Sequence, residues 1–456
     1  MKKNLLNFLK AYVLTWLFSL LFVLYRASRP DISIVDAFEN YKELLSYSAF
    51  IIGIHITFVL FYLLFLIIRY FFRTYKKQGF KSMFKQLVFR LIIPIALIIS
   101  LYNVVAHSNS NEDFNYLWNG SIENTKGISN DLYNNDRKHR GMSVFGWHKA
   151  SDTEINELVK NNVEWIAVVP FLYQKDEKTT KINVPDTVGI WTQRDSVFIK
   201  SIEKVHSKNM HVMLKPHLWM SSGWRSNVSQ SSKSDWNTWF TSYRNNMLHY
   251  AKMANETNVE LFCIGTELKS SIKQQPQQWI ALIKEIKNIY KGKLTYAANW
   301  DGEFEFIDFW NELDYIGIQA YFPLTKVDNP DLETIKKGWD SHITMLEKLS
   351  KKHNKPILFT EVGYKSDAST TIKPWEWAKF SGIIYNKKSD KTQQLAYEAL
   401  FQRLWSKDWF SGMYIWEWDT RSKPENAEKS LNFSPRFKPA QNTIAKWYGK
   451  SSFWKE

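Results

Sequence analysis

A chain of 456 residues, 45% of them hydrophobic, is too long for one small domain and fits one large domain plus an additional region. Its net charge of +15 divides into 13 Lys/Arg against 4 Asp/Glu over residues 1–105 and 47 against 41 over the remainder, so much of the excess lies beside apolar segments and does not mark a nucleic-acid-binding protein. The single cysteine, Cys263, excludes an intrachain disulfide and a cysteine-based metal site, while 21 tryptophans exceed what a core needs and point to an aromatic-lined surface or groove.

Three apolar segments open the chain, near Leu5–Tyr25, Tyr47–Ile68 and Leu87–Ala106, each close to the length that crosses a bilayer. They predict three transmembrane helices over residues 1–106. A cleaved signal peptide is the rival for the first, but no small-residue cleavage site follows Tyr25. Between the second and third segments stand Arg69, Arg73, Lys76, Lys77, Lys81 and Lys85 with no acidic residue among them, which places that loop in the cytoplasm. The first loop carries Asp31, Asp36, Glu39 and Glu43 and is expected outside. Three spans then put everything after Ala106 outside the cytoplasm, in a multi-pass protein whose large domain faces the periplasm or the cell surface.

Residues 107–139 are rich in Asn, Ser, Asp and Gly and read as a linker or collar. From Arg140 strand and helix alternate eight times. The expected strands are Gly141–Trp147, Val163–Leu172, His211–Trp219, Val259–Leu268, Lys293–Trp300, Asp314–Phe322, Pro356–Tyr364 and Gly412–Trp418. The helix after the first strand opens on Ser151 and Glu154 at capping-box spacing. A later helix carries Trp236, Trp239, Phe240, Tyr243, Met247 and Tyr250 as one core stripe. Alternation of this kind implies a parallel sheet, and eight units in residues 140–449 imply a closed (β/α)8 TIM barrel, an α/β fold. A doubly wound sheet would need a glycine-rich phosphate turn after its first strand, and Gly146-Trp147-His148-Lys149 is not one.

Two of these strands end alike. The run Val259–Leu268 (VELFCIGTEL) closes on Glu267, and Pro356–Tyr364 (PILFTEVGY) carries Glu361, 94 residues later. That separation fits three strand–helix units, so both carboxylates are expected to meet across the mouth of one barrel, on its fourth and seventh strands, where this fold keeps its chemistry. Either glutamate alone could be a salt-bridged or exposed strand end. Cys263 shares parity with Glu267 and reads as a small filler inside the barrel.

The remaining strand ends contribute Trp147 and His148, Lys215, His217 and Trp219, Asn299, Trp300 and Asp301, Gln319 and Tyr321, and Trp416 to Asp419. Carboxylates, amides, hydroxyls and flat rings are what a sugar site needs, and no phosphate cradle, HExxH or nucleophile elbow accompanies them. A pair of glutamates suits glycosidic cleavage because the leaving oxygen needs a proton while the oxocarbenium-like carbon needs an anion beside it. Lys215 is either a contact to substrate or carboxylate or a structural ion pair, and His217 either a ligand or a satisfied core histidine. Tyr321 either caps the barrel or hydrogen-bonds a carboxylate, and Trp416 is either core or a platform for the sugar. Glu417 and Asp419 alternate with Trp416 and are expected to point away from it. A His217/Glu267/Glu361 metal site would rest on a lone histidine with distant carboxylates, and neither a metal nor an organic cofactor is expected.

Five pieces carry a resemblance: KPHLW (Lys215–Trp219), CIGTEL (Cys263–Leu268), IGIQAYFPL (Ile316–Leu324), FTEVGY (Phe359–Tyr364) and YIWEWD (Tyr414–Asp419). Residues 140–449 resemble a clan A glycoside hydrolase, in particular glycoside hydrolase family 113. The resemblance implies a (β/α)8 barrel with a retaining double displacement, with Glu267 as acid/base and Glu361 as nucleophile. It also implies Tyr321 as the tyrosine near the nucleophile and Trp416 as the aromatic floor. Trp147, Lys215, His217 and Asn299 complete the expected substrate-binding set. Members are similar to endo-β-1,4-mannanases, which makes mannan or manno-oligosaccharide the expected substrate. Many clan A enzymes carry Asn directly before the acid/base; this chain has Thr266. Three rivals differ in class or substrate: a non-catalytic glycan-binding barrel of the envelope, a hydrolase for another β-linked glycan, and a transport or envelope subunit in which the spans do the work.

Overall fold

The computed structural model describes residues 2–27, 35, 38, 41, 42, 44, 45, 48–108, 114–145, 151–183, 195–377 and 387–453. They form two compact units, one within residues 1–105 and one from residue 106 onward.

The first unit is helical: Lys2–Ala27, Ser48–Leu87 and Ile93–Ser108, with a π-helical turn at Val88–Ile92. Among the described residues two helical stretches, not three, are long and apolar enough to cross a membrane, Leu6–Tyr25 and Phe50–Val105. The second and third expected segments thus lie in one helical run, and the basic stretch expected as a loop between them is helical. The reason is local: residues 69–78 hold neither Gly nor Pro, and Lys, Arg and Gln are good helix formers. The run is broken once, at Gly79, whose φ of 79° is left-handed. Across that break Tyr70 hydrogen-bonds both Gln86 and Arg90. Residues 20 positions apart in a straight helix would be about 30 Å apart, so the chain turns back at Gly79. Phe8 and Tyr12 of the first helix pack edge-on against Phe58 at 5.0 and 5.1 Å. Leu14, Phe18, Leu97 and Ile98 are left more than 60% exposed, an apolar exterior.

The second unit is a closed barrel of eight parallel strands. We number the strands β1 (His139–Phe145), β2 (Trp165–Val168), β3 (Phe171–Gln174), β4 (His211–Leu214), β5 (His217–Met220), β6 (Leu261–Thr266), β7 (Lys293–Asn299), β8 (Tyr315–Gln319), β9 (Ile357–Val362) and β10 (Phe410–Asp419). The barrel order is β1-β10-β9-β8-β7-β6-β4-β2, and β3 and β5 form a separate parallel pair. The second and third expected strands are therefore each cut in two, at Pro170 and Pro216. Proline donates no ladder hydrogen bond, so the barrel ladder stops there. The chain resumes beyond it, with Phe171 opposite His217 and the His217 amide donating to the Pro170 carbonyl at 2.8 Å. The result is a raised lip on the C-terminal side of β2 and β4.

Inside the barrel lie Trp165, Ala167, Met213, Leu261, Cys263, Ala297, Leu358 and Tyr414, with Cys263 fully buried as a filler. Outside it the helices cover the strands. Ser151 caps its helix in the expected box, accepting from the Glu154 amide at 3.2 Å while its own amide donates to Glu154 at 3.0 Å. The stripe from Trp236 to Tyr250 is buried throughout, with Trp239 stacked on Tyr243 at 4.9 Å. The collar is irregular but clasped: Tyr116 donates to Gln441 at 2.8 Å, and the Asn119 amide to Asn442 at 2.9 Å, both on the final helix Pro439–Tyr448.

Candidate active site

β6 ends at Thr266, and Glu267 follows with φ of 53°, a left-handed conformation that a non-glycine residue holds at a cost of about 1–3 kcal/mol. The Glu267 amide still donates to the Ala297 carbonyl of β7 at 2.9 Å, so the backbone turns sharply while it remains tied to the barrel rim. Glu361 lies within β9. Both side chains are almost fully buried at the C-terminal mouth, Glu267 at 4% exposure and Glu361 at 5%.

Each carboxylate has its own cation and its own neutral donor. Lys215, fully buried between β4 and β5, pairs with Glu361 Oε1, and the Tyr321 hydroxyl donates to Glu361 Oε2 at 3.1 Å. Arg225 pairs with Glu267 Oε2, and Asn299 Nδ2 donates to Glu267 Oε1 at 2.8 Å. Of the two readings open for Lys215, the structure shows contact with a carboxylate. Asn299 likewise touches a carboxylate.

Burial raises the Glu267 pKa, Arg225 opposes it, and the charge on Glu361 raises it further. The two glutamates thus lie within each other's field. Burial, Arg225 and Lys215 hold His217 well below its ordinary pKa, so it is a neutral imidazole, packed beside Phe171 at 5.9 Å. Burial and the charge on Glu361 push the Tyr321 phenol well above its ordinary value, so it is a donor at neutral pH. Among the described residues no group of three or more His, Cys, Asp or Glu side chains is arranged to hold a metal.

Aromatic rings line the mouth. Trp416 is half-buried, with Trp377 edge-on to it at 6.4 Å and Phe433 against Trp377 at 5.1 Å. Trp300 stacks on Trp375 at 4.6 Å beyond β7. Trp219 of β5 and Trp224 in the loop after it are exposed by 53% and 44%. Trp147 and His148 lie outside the described residues.

Two residues at the site, Arg225 and Glu303, escaped the sequence reading. Arg225 sits in the serine-rich loop after β5, held over the Trp224 ring at 4.2 Å, and its neighbour Ser226 donates to the Glu267 carbonyl at 2.8 Å. Glu303 is fully buried after β7. It accepts from the Asn299 amide at 2.6 Å and from Tyr296 at 2.7 Å, and Tyr296 in turn accepts from the Leu268 amide at 2.6 Å. Glu303 thereby ties together the two backbone segments that flank Glu267 and Asn299, and burial raises its pKa to about 8. For Glu417, already noted among the strand ends, the expectation of a solvent-facing side chain is corrected: it is 5% exposed, and Asp419, Arg421 and Glu361 act on it. Strict alternation fails because β1 pairs Ser143 with Trp416 and Val144 with Trp418, which leaves Glu417 as the extra residue of a bulge.

A β/α barrel with two buried, separately supported carboxyls at its C-terminal mouth is the architecture of a glycoside hydrolase. Residues 142–437, more than half of the chain, match the model of Glycoside Hydrolase Family 113, and the chain belongs to that family. Among solved structures it is similar to a GH113 β-1,4-mannanase complex, at 24% identity with a TM-score of 0.60 over 68% of this chain and 98% of that one. It is equally similar to a GH113 β-mannanase from Alicyclobacillus acidocaldarius in complex with ManMIm, at 24% identity and a TM-score of 0.60, covering 68% and 97%. A third GH113 β-1,4-mannanase structure aligns at 25% identity and a TM-score of 0.59 over 68% and 97%. No curated protein matches the chain.

Proposed function

We propose that this glycoside hydrolase is membrane-anchored and cleaves β-mannan or manno-oligosaccharides with retention of configuration. Glu267 serves as acid/base and Glu361 as nucleophile. The observation that carries this reading is the asymmetric support of two buried carboxyls at one barrel mouth. Glu361 is paired with the buried Lys215 side chain and accepts a hydrogen bond from the Tyr321 hydroxyl. Glu267 is held where burial and a neighbouring anion favour its proton. One group that keeps a proton beside one that has lost it is what glycosidic cleavage requires.

In the first step Glu267 protonates the leaving oxygen while Glu361 attacks the anomeric carbon, giving a glycosyl ester. In the second, Glu267 removes a proton from water, which displaces Glu361 from carbon. Lys215 and Tyr321 orient Glu361, and Asn299 and Arg225 orient Glu267. Trp416 floors the reacting sugar, and Trp147 and His217 contribute to its binding. Mannan is the substrate of choice because the family's similar structures are β-mannanases.

For the anchor, the support is the pair of apolar helical stretches and the turn at Gly79, which divides the second stretch in two. On this reading residues 1–106 make three spans, residues 107–139 a collar, and the loop charges put the barrel on the extracytoplasmic side. The test is a hydrolysis panel of mannan, glucan, xylan and short oligosaccharides. Release of manno-oligosaccharides from mannan is expected; preferential release from glucan or xylan would move the enzyme to another β-glycan.

A further inference from the structure

Beside the acid pair stands a third carboxyl to which the two-step reaction gives no task. Glu417 occupies the bulge of β10 next to Trp416, and a bulge re-aims the side chain that regular alternation would send outward. Its position is fixed from the other side by Gly363, two residues beyond Glu361. A Cβ at Gly363 would strike the Trp416 carbonyl, so the Trp416–Glu417 peptide lies hard against the end of the strand that carries Glu361. Glu417 is 5% exposed, and its Oε2 is buried with no hydrogen-bond partner among the described residues. Asp419, two residues on, is engaged by Arg421 at 3.0 Å. Burial, Asp419, Arg421 and then Glu361 act on Glu417, and the charge on Glu417 in turn reaches the Tyr321 hydroxyl.

A buried acceptor without a partner is destabilising, and a carboxyl more so than a neutral group. Such a group persists where the working state supplies its partner. At the edge of a sugar platform that partner is a hydroxyl. We infer that Glu417 hydrogen-bonds a hydroxyl of the sugar seated on Trp416, in the subsite of the reacting carbon, and is a specificity-determining residue of the enzyme. The inference rests on the proposed hydrolase site and not on the identity of the sugar. A site built around a hydroxyl rejects the analogue that lacks it much more strongly than an apolar pocket does.

The test compares the full-length wild type with Glu417→Ala and Glu417→Gln. Aryl β-mannoside, β-glucoside and β-xyloside are assayed first, and the best of the three becomes the parent. Its monodeoxy analogues are then assayed on all three proteins. A loss of tenfold or more in kcat/KM is expected for Glu417→Ala on the parent, with partial recovery in Glu417→Gln. One deoxy analogue should be much poorer than the parent for wild type yet nearly equal to it for Glu417→Ala. Activity of Glu417→Ala within twofold of wild type would overturn the inference. So would deoxy penalties that are the same in both proteins, since a merely structural role leaves them unchanged. A glucoside or xyloside parent would refute the mannoside reading while leaving the Glu417 comparison intact.

Discussion

At the scale of single residues, the site works by giving two chemically identical side chains different company. Arg225 favours the ionised form of Glu267, whereas burial and Glu361 favour the protonated form. Arg225→Met should therefore raise the Glu267 pKa. The catalytic proton would then survive to higher pH, and the alkaline limb of kcat/KM should move upward. A pH–rate profile with that limb unmoved or lowered would mean the guanidinium does not act on the acid. Glu267→Ala should spare aryl glycosides with good leaving groups far more than those with poor ones, since only the poor ones need a proton in the transition state. Equal loss across a leaving-group series would count against the acid role. Glu267 and Glu361 were legible in the sequence because each closes an apolar run at the position where a barrel opens. Arg225 and Glu303 were not, because they stand in loops, where no periodicity marks a direction. Nothing in the residue order distinguishes Arg225 from any exposed loop cation until its guanidinium is seen against Glu267.

At the scale of elements, the barrel was readable and its irregularities were not. The eight apolar runs correspond to eight barrel strands, but Pro170 and Pro216 cut two of them and create the β3–β5 lip. Those prolines were visible; that the chain would resume as a second paired sheet depends on a partner across space. Glu417 was assigned the wrong face for a similar reason, since a bulge is set by register against β1 and leaves no mark in the sequence of β10 alone. Gly363 is where β9 and β10 approach too closely for any side chain. Gly363→Ala should lower stability by about 1–3 kcal/mol through overpacking. It should also lower activity, because the displaced backbone carries Trp416. Thermal unfolding indistinguishable from wild type, with full activity, would show that the two strands are free to part.

At the scale of the whole molecule, an apolar helical region precedes a barrel whose family is established. The helices of residues 1–105 place Leu14, Phe18, Leu97 and Ile98 outward, which suits lipid and not water. The full-length chain should remain in the membrane pellet after an alkaline carbonate wash and leave it only with detergent; release by carbonate alone would refute integral anchoring. The central claim is that Glu361 bonds to carbon while Glu267 manages the proton, and chemical rescue tests it most directly. With an activated aryl β-mannoside, Glu361→Ala is expected to be inert, and added azide to restore turnover with an α-glycosyl azide as product. Full activity of Glu361→Ala without azide would contradict the account.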